Sequence, residues 1–294
     1  MSTHPDGELV DVTLRARNVA FDWTNLPLHY VPDEPFVTHW ANVMHMLLPA
    51  GERWFVEVFT QALPLIRDDR LREDVLGFIG QESTHASAHQ GAQDHLRVQG
   101  LDTTRYVGEI EWFFEQRLGN RELTGAAAEE WLVERLSLIA SIEHLTAVLG
   151  DWILNSHGLD RAGADPTMLD LLRWHGAEEV EHRSVAFDLY MHVDGRYARR
   201  VRSHVTILPA LVWLWSRGIR QLMASDPMLA GTGTRARWRD WTRAGRLNLL
   251  PGPTEFLRSY RSYFRRDYHP SQECSTSQAV AYLATSPAAL SAAD

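Results

Sequence analysis

Along most of the chain apolar residues recur every three to four positions, the period of a helix with one buried face, and no run alternates in the two-residue rhythm of a strand. The pattern predicts an all-α protein. In residues 49–66 the inward stripe is Glu52, Val56, Phe59 and Leu63, and in 69–98 it is Leu71, Val75, Phe78, Glu82, His85, His89, Ala92 and Leu96. In 127–155 it is Leu132, Leu136, Ile139, Glu143, Thr146, Gly150 and Ile153, and in 166–192 it is Met168, Leu172, His175, Glu179, His182, Ala186 and Leu189. Each otherwise apolar face is interrupted by a carboxylate. Asp165 before Pro166 reads as an N-cap followed by proline at the first helical position, and Gly100 and Gly158 read as helix stops.

Around these four segments the pattern sets boundaries. Residues 1–34 are polar and punctuated by proline, and residues 35–195 form the expected bundle. Residues 196–268 offer three further helices near 200–222, 235–247 and 254–266 that would cover it, and 269–294 read as a loosely ordered tail rich in Ser and Ala. Neither end is expected to carry chemistry. A helix over 106–118, with Ile110, Phe113, Phe114 and Leu118 on one side, falls in the connection between the two helix pairs and leaves room for a crossover. The most apolar stretch, 203–216, has 14 residues, short of the roughly 18 to 20 needed to span a bilayer. It is expected to be a buried helix, with an interfacial or substrate-channel role as the alternative.

The interruptions form a set. Glu82 with His85 and Glu179 with His182 are two Glu-x-x-His pairs, whose members point the same way because they are three residues apart. Glu52 and Glu143 stand alone on the partner helices. One Glu from each of two helices and one Glu-x-x-His from each of the other two make up the ligand set of dinuclear metal sites in ferritin-like bundles. With 19 Glu and 14 His among 294 residues, about one such pair arises by chance, so the motif alone is weak. Placement strengthens it: 30 residues separate Glu52 from Glu82 and 36 separate Glu143 from Glu179, one helical hairpin in each half. An ionised carboxylate in an apolar core costs several kcal/mol unless it is paired. No Lys or Arg lies on these stripes, whereas two divalent cations match four carboxylates. The fold expected is therefore an all-α, ferritin-like four-helix bundle with a dinuclear metal site, plus additional C-terminal helices.

His89 and His175 lie one turn further along the same stripes. In an up, down, down, up bundle they fall on one side of the metals, as a vestibule adding a nitrogen ligand or binding substrate, or as hydrogen-bonding partners of the ligands. Glu178 and His144 sit beside ligands in sequence but about 100° round the helix. Glu57, Glu73, Glu134 and Glu181 leave the stripes and read as solvated faces, and His39 and His45 precede the helix start expected at Pro49.

Composition narrows the chemistry. The single cysteine, Cys274, excludes an internal disulfide and any thiolate cluster, so metal would rest on His and carboxylate. A formal charge of −9 with no basic run sets nucleic acid aside as a partner. The first residues show neither a signal core nor a transit-peptide character, so a cytoplasmic location and no transmembrane span are expected.

The blocks Pro49-Ala50-Gly51-Glu52-Arg53-Trp54-Phe55, Phe78-Ile79-Gly80-Gln81-Glu82-Ser83-Thr84-His85 with His89, Ile142-Glu143-His144-Leu145-Thr146-Ala147, and Trp174-His175-Gly176-Ala177-Glu178-Glu179-Val180-Glu181-His182 with Phe187-Asp188-Tyr190 resemble the bacterial proteins described as predicted metal-dependent hydrolases. The resemblance covers about residues 49–190 and implies a ferritin-like metal site. Because such ligand sets activate dioxygen elsewhere in the fold, the leading expectation is an O2-dependent oxidase or monooxygenase. It would act on a small organic substrate, an aromatic one among the options, with two divalent ions, Fe/Fe or Mn/Fe, with O2 as co-substrate and room for an external electron donor. The alternatives are a hydrolase, in which the metals acidify a bridging water, and a metal-binding ferroxidase. A homodimer is compatible with the pattern.

Overall fold

The computed structural model describes residues 12–292, and no strand occurs among them. Helix α1 (Pro35–Ala62) opens on a proline and runs through Pro49. The start expected at residue 49 thus falls mid-helix. The hydrogen bond lost at an internal proline is offset by burial on both sides of it, since Val37, Val43, Met46 and Leu47 are as enclosed as Trp54, Phe55 and Phe59. His39 and His45 consequently share a helix with Glu52. Helix α2 (Asp69–Val98) begins where the Asp68 carboxylate accepts the Leu71 N–H at 2.8 Å, and it stops at Gly100, whose φ of 90° suits glycine.

Helix α3 (Thr104–Trp112) and a π-turn over Phe113–Leu118 occupy the connection. Helix α4 (Ala126–Asn155) ends where Ser156 turns extended. Gly158, expected as its stop, instead opens the short α5 (Gly158–Arg161), and a Cβ there would lie 1.9 Å from the Asn248 carbonyl oxygen. Helix α6 (Pro166–His182) is capped by Asp165, which accepts from the Thr167 and Met168 amides. The expected continuation to residue 192 is broken: Arg183 and Ser184 form a turn before α7 (Val185–Val193). The Arg183 guanidinium donates to the carbonyls of Val180 and Pro270, satisfying an acceptor that the break leaves free.

Helices α8 (Tyr197–Ser225), α9 (Trp238–Arg246) and α10 (Pro253–Ser262) follow. The tail carries structure that its sequence hides, because two short helices are too brief to show a period. Helices α11 (Thr276–Leu283) and α12 (Pro287–Ser291) pack on α6, where Asp170 accepts from the Tyr282 hydroxyl, the Ser286 hydroxyl and the Ala288 amide.

α1 packs along α2 and α4 along α6, α7 lies against α2 and α4, and α8 covers α1 and α4. The α4–α6 crossing is set by two glycines. A Cβ on Gly150 would lie 2.4 Å from the Gly176 carbonyl oxygen, and one on Gly176 would lie 2.6 Å from Ile153 Cγ2. This close approach falls within two turns of Glu143 and one turn of Glu179. The N-terminal arm runs along α2, where a Cβ on Gly77 would meet Leu14 Cβ at 2.5 Å and one on Gly80 would meet Ala16 Cβ at 3.1 Å. The first eleven residues of the polar N-terminal segment lie outside the described residues. Among the described residues no helix is long and apolar enough to cross a membrane.

Gly150→Ala pushes backbone against backbone at the crossing, and overpacking of this kind costs about 1–3 kcal/mol. A thermal melt several degrees below that of the parent protein is the expected outcome, and an unchanged Tm would show that the two helices do not need their present separation.

Candidate metal centre

Each of four helices brings part of one buried cluster. α1 contributes Glu52, α2 contributes Glu82 and His85, α4 contributes Glu143, and α6 contributes Glu179 and His182, all enclosed. Glu82, Glu143, Glu179 and His182 place one ligand atom each within 4.8 Å of one another, and Glu52, Glu82 and His85 do the same. The two groups overlap at Glu82. His182 Nε2 stands 3.3 Å from Glu82 Oε1, 3.2 Å from Glu143 Oε2 and 3.4 Å from Glu179 Oε2. His85 Nδ1 stands 3.9 Å from Glu82 Oε1 and 3.8 Å from Glu179 Oε1.

Seven of the atoms facing this centre lack partners, the densest group of such atoms among the described residues, while Glu179 is held by Thr146 and His175. Both carboxylate oxygens of Glu52 and of Glu82, Glu143 Oε2, His85 Nδ1 and His182 Nε2 are buried and make no hydrogen bond among the described residues. Interiors rarely tolerate such atoms, since each costs about 1–3 kcal/mol, and more when charged. Seven around one point form a donor set of oxygen and imidazole nitrogen that fits divalent cations. Burial pushes Glu52 and Glu82 well above the usual carboxylate range, and neighbouring carboxylates reinforce it. Burial also lifts Glu143 to about 7. Burial opposes the charge on Glu179 too, yet His182 and His175 hold it well below that range. His182 is raised to about 10, because Glu179 and Glu143 outweigh its desolvation. Without cations, most of these acids resist ionising.

Behind the facing atoms lies a second layer of contacts. His85 Nε2 meets Glu178 Oε2 at 3.0 Å, and Glu178 Oε1 accepts from Arg17 Nη1 at 2.7 Å and from Trp174 Nε1 at 3.1 Å. His182 Nδ1 meets Gln81 Oε1 at 3.2 Å, Gln81 Nε2 donates to Glu181 Oε2 at 3.0 Å, and Glu181 is forked by Arg17 at 2.9 and 3.0 Å. A carboxylate or amide behind an imidazole fixes its tautomer, so His85 Nδ1, and His182 Nε2 once its second proton has left, turn lone pairs toward the centre. One arginine thereby orients both imidazoles. Arg17 sits on the N-terminal arm, a segment from which no chemistry was expected. Glu181, read as a solvated face, has a nearly buried side chain in that network.

His89 and His175 join the cluster from one side. His175 Nε2 lies 2.8 Å from Glu179 Oε1 and 3.7 Å from Glu52 Oε1. His175 Nδ1 meets His89 Nε2 at 2.7 Å, and His89 Nδ1 meets His45 Nδ1 at 2.8 Å. One proton assignment satisfies all three contacts: His175 donates to Glu179, His89 to His175, and His45 to His89, each ring neutral. Burial favours this, depressing His89 well below the usual range and His45 to about 3. An apolar cavity between α1, α4, α6 and α8, walled by Trp40, Met44, Leu149, Ile153, Trp215 and Leu249, ends on Thr146, His175 and Glu179. The other histidines lie elsewhere: His39 meets Asp226, and His144 meets Tyr268 and the Ser259 carbonyl. Glu57 and Glu73 are exposed, and Glu134 pairs with Arg199 and Arg202.

Residues 15–273 match the family described as predicted metal-dependent hydrolase, and the chain belongs to that family. No curated protein and no solved structure matches it. The family description overturns the leading expectation of an O2-activating oxidase or monooxygenase and agrees with the hydrolase alternative. Carboxylates and imidazoles around a centre are as suited to Lewis-acid hydrolysis as to redox chemistry, so spacing alone did not distinguish the two.

A cation binding here would displace protons from Glu143, held near 7, and from His182, held near 10. Affinity therefore falls as pH is lowered below about 10 and more steeply below about 7, and metal binding releases protons, measurable by calorimetry in buffers of different ionisation enthalpy. Arg17→Met leaves all six facing residues in place but frees Glu178 and Glu181. Loss of such support typically weakens metal binding about 10–100-fold, to be read by chelator competition alongside an unchanged circular dichroism spectrum.

Proposed function

We propose that Glu52, Glu82, His85, Glu143, Glu179 and His182 hold two divalent cations within a ferritin-like four-helix arrangement of α1, α2, α4 and α6. In this reading residues 35–195 form the metal-binding unit, 196–268 cover it, and the centre hydrolyses a small ester or amide carrying an apolar group. The supporting observation is the set of buried, unpartnered oxygens and nitrogens around one point, beside an apolar cavity that His175 and Glu179 help to line. Bound cations supply Lewis acidity, polarising a carbonyl and acidifying water. The chain supplies the rest. The cavity wall takes the apolar part of the substrate and excludes bulk water from the centre. His175, in reach of both Glu52 and Glu179 and lining the cavity, is positioned to take the proton that the attacking water gives up and to pass it to the leaving alkoxide or amine. His89 and His45 hold its tautomer from behind.

The test is turnover of nitrophenyl esters of increasing acyl length by metal-loaded protein, in air and under nitrogen. Equal rates in both atmospheres, loss on chelation and recovery with added metal are expected. Activity that survives chelation or requires oxygen would contradict the reading. His175→Ala should lower kcat by about 10²–10⁴-fold while metal content stays constant.

A further inference from the structure

The charge of the chain is unevenly distributed. Residues 196–268 hold fifteen arginines, no lysine and four acidic residues, a formal +11 that leaves −20 for the rest. Five of the fifteen fall within twelve residues in and just before α9: Arg235, Arg237, Arg239, Arg243 and Arg246 are all exposed, with Asp240 the one acid among them. Arg235, Arg237, Arg239 and Arg243 line a polar pocket together with Asp33, Glu34 and Asp240. Glu34 is engaged by Arg243, and Asp240 accepts from the Arg237 amide. Arg235, Arg237 and Arg239 form no ion pair among the described residues.

Apolar side chains are exposed in the same stretch. Trp238 is 66% exposed, edge-on to Trp241 with ring centroids 4.6 Å apart, and Met228 and Leu247 stand exposed before and after α9. Arg239, Arg243 and Arg246 follow one another at helical spacing, flanked round the helix by Trp238 on one side and Leu247 on the other. Immediately beyond, Leu249 and Leu250 turn inward and wall the apolar cavity that ends on His175 and Glu179. On α8, Trp213 is 62% exposed while Trp215, two residues on, lines that cavity.

Arginines interleaved with exposed tryptophan and leucine suit the headgroup region of a bilayer, where the guanidinium groups meet phosphates and the indoles sit at the apolar boundary. A free phosphate would leave Trp238, Met228 and Leu247 uncovered, and a nucleic acid backbone gives the aliphatic chains nothing to bury against. We infer that the 228–247 face docks on an anionic phospholipid surface, with Arg235, Arg237 and Arg239 on lipid phosphates and Trp238 and Leu247 inserted beside them. The docking stands apart from the metal chemistry. The further consequence, that apolar substrates enter from the lipid past Leu249 and Leu250, rests on the hydrolase reading.

The experiment is flotation of the full chain with vesicles of phosphatidylcholine alone and of phosphatidylcholine with phosphatidylglycerol, at low and high salt. Expected is flotation with the anionic vesicles only, release by salt and a blue shift in tryptophan emission. Each basic residue near an anionic surface strengthens binding about fivefold, so the combined R235Q, R237Q and R239Q variant should lose about 100-fold in vesicle affinity. Its Tm and its turnover of a short soluble ester should match the parent. Trp238→Ser should weaken flotation and remove most of the blue shift. Equal binding to neutral vesicles, no binding to anionic ones, or flotation undiminished in the triple variant would overturn the inference. So would binding of inorganic phosphate or of a duplex oligonucleotide without flotation, which would assign the arginines to a soluble anion or to nucleic acid. Flotation needs no turnover, so its failure is separable from failure of the ester assay.

Discussion

Four carboxylates buried within a few ångströms of one another are the constraint on which the rest of this structure depends. Carboxylates removed from water repel one another and lack hydration, so they persist inside a fold only with counter-charge or protons. The surrounding architecture makes sense as a device for holding them together. Gly150 and Gly176 let α4 and α6 approach backbone to backbone beside Glu143 and Glu179. Phe59 and Phe78 stack at 4.4 Å, and Phe78 meets the His182 ring edge-on, which seals one end of the cluster with apolar surface. Trp174 does the same against His85. Thr146 donates to Glu179 Oε2 at 2.6 Å, fixing the one carboxylate that the histidines already keep ionised.

The support reaches further than the four helices. Arg17 arrives on an extended arm that lies against Gly77 and Gly80 of α2, and it reaches Glu178 and Glu181 on α6. The arm thus ties the two motif-bearing helices from outside, while His85 and His182 face inward. On the opposite flank, the chain from His45 through His89 and His175 to Glu179 extends the polar interior along α1 toward the N-terminal half of that helix. The apolar cavity opens beside His175, so the one imidazole that touches both the carboxylates and the cavity sits where a substrate would meet the centre.

Much of this was legible in the chain. Six interrupting residues on four stripes were readable because helical spacing turns sequence distance into facing direction, and the structure brings those side chains together. The all-helical class followed from the same period. What escaped has physical causes. Pro49 resembles a helix breaker, but its helix is buried on both sides and continues. Arg17 has no periodic context, because an extended arm has none. The glycines it lies along, Gly77 and Gly80 in the middle of a long helix, were the available signal that something packs closely there. Short helices α11 and α12 depend on Asp170 rather than on any pattern of their own. The reaction was misjudged for a different reason: a ligand set describes what can be bound, and the same oxygen and nitrogen donors serve redox and hydrolytic metals alike.

The central claim is that the carboxylates converge because cations belong between them. Anomalous diffraction from metal-loaded crystals, recorded at the absorption edge of the added ion, tests it most directly. The account predicts two peaks, one enclosed by Glu82, Glu143, Glu179 and His182 and the other by Glu52, Glu82 and His85. A map with no peak inside the bundle, with those side chains still packed together in the dark of the core, would contradict it.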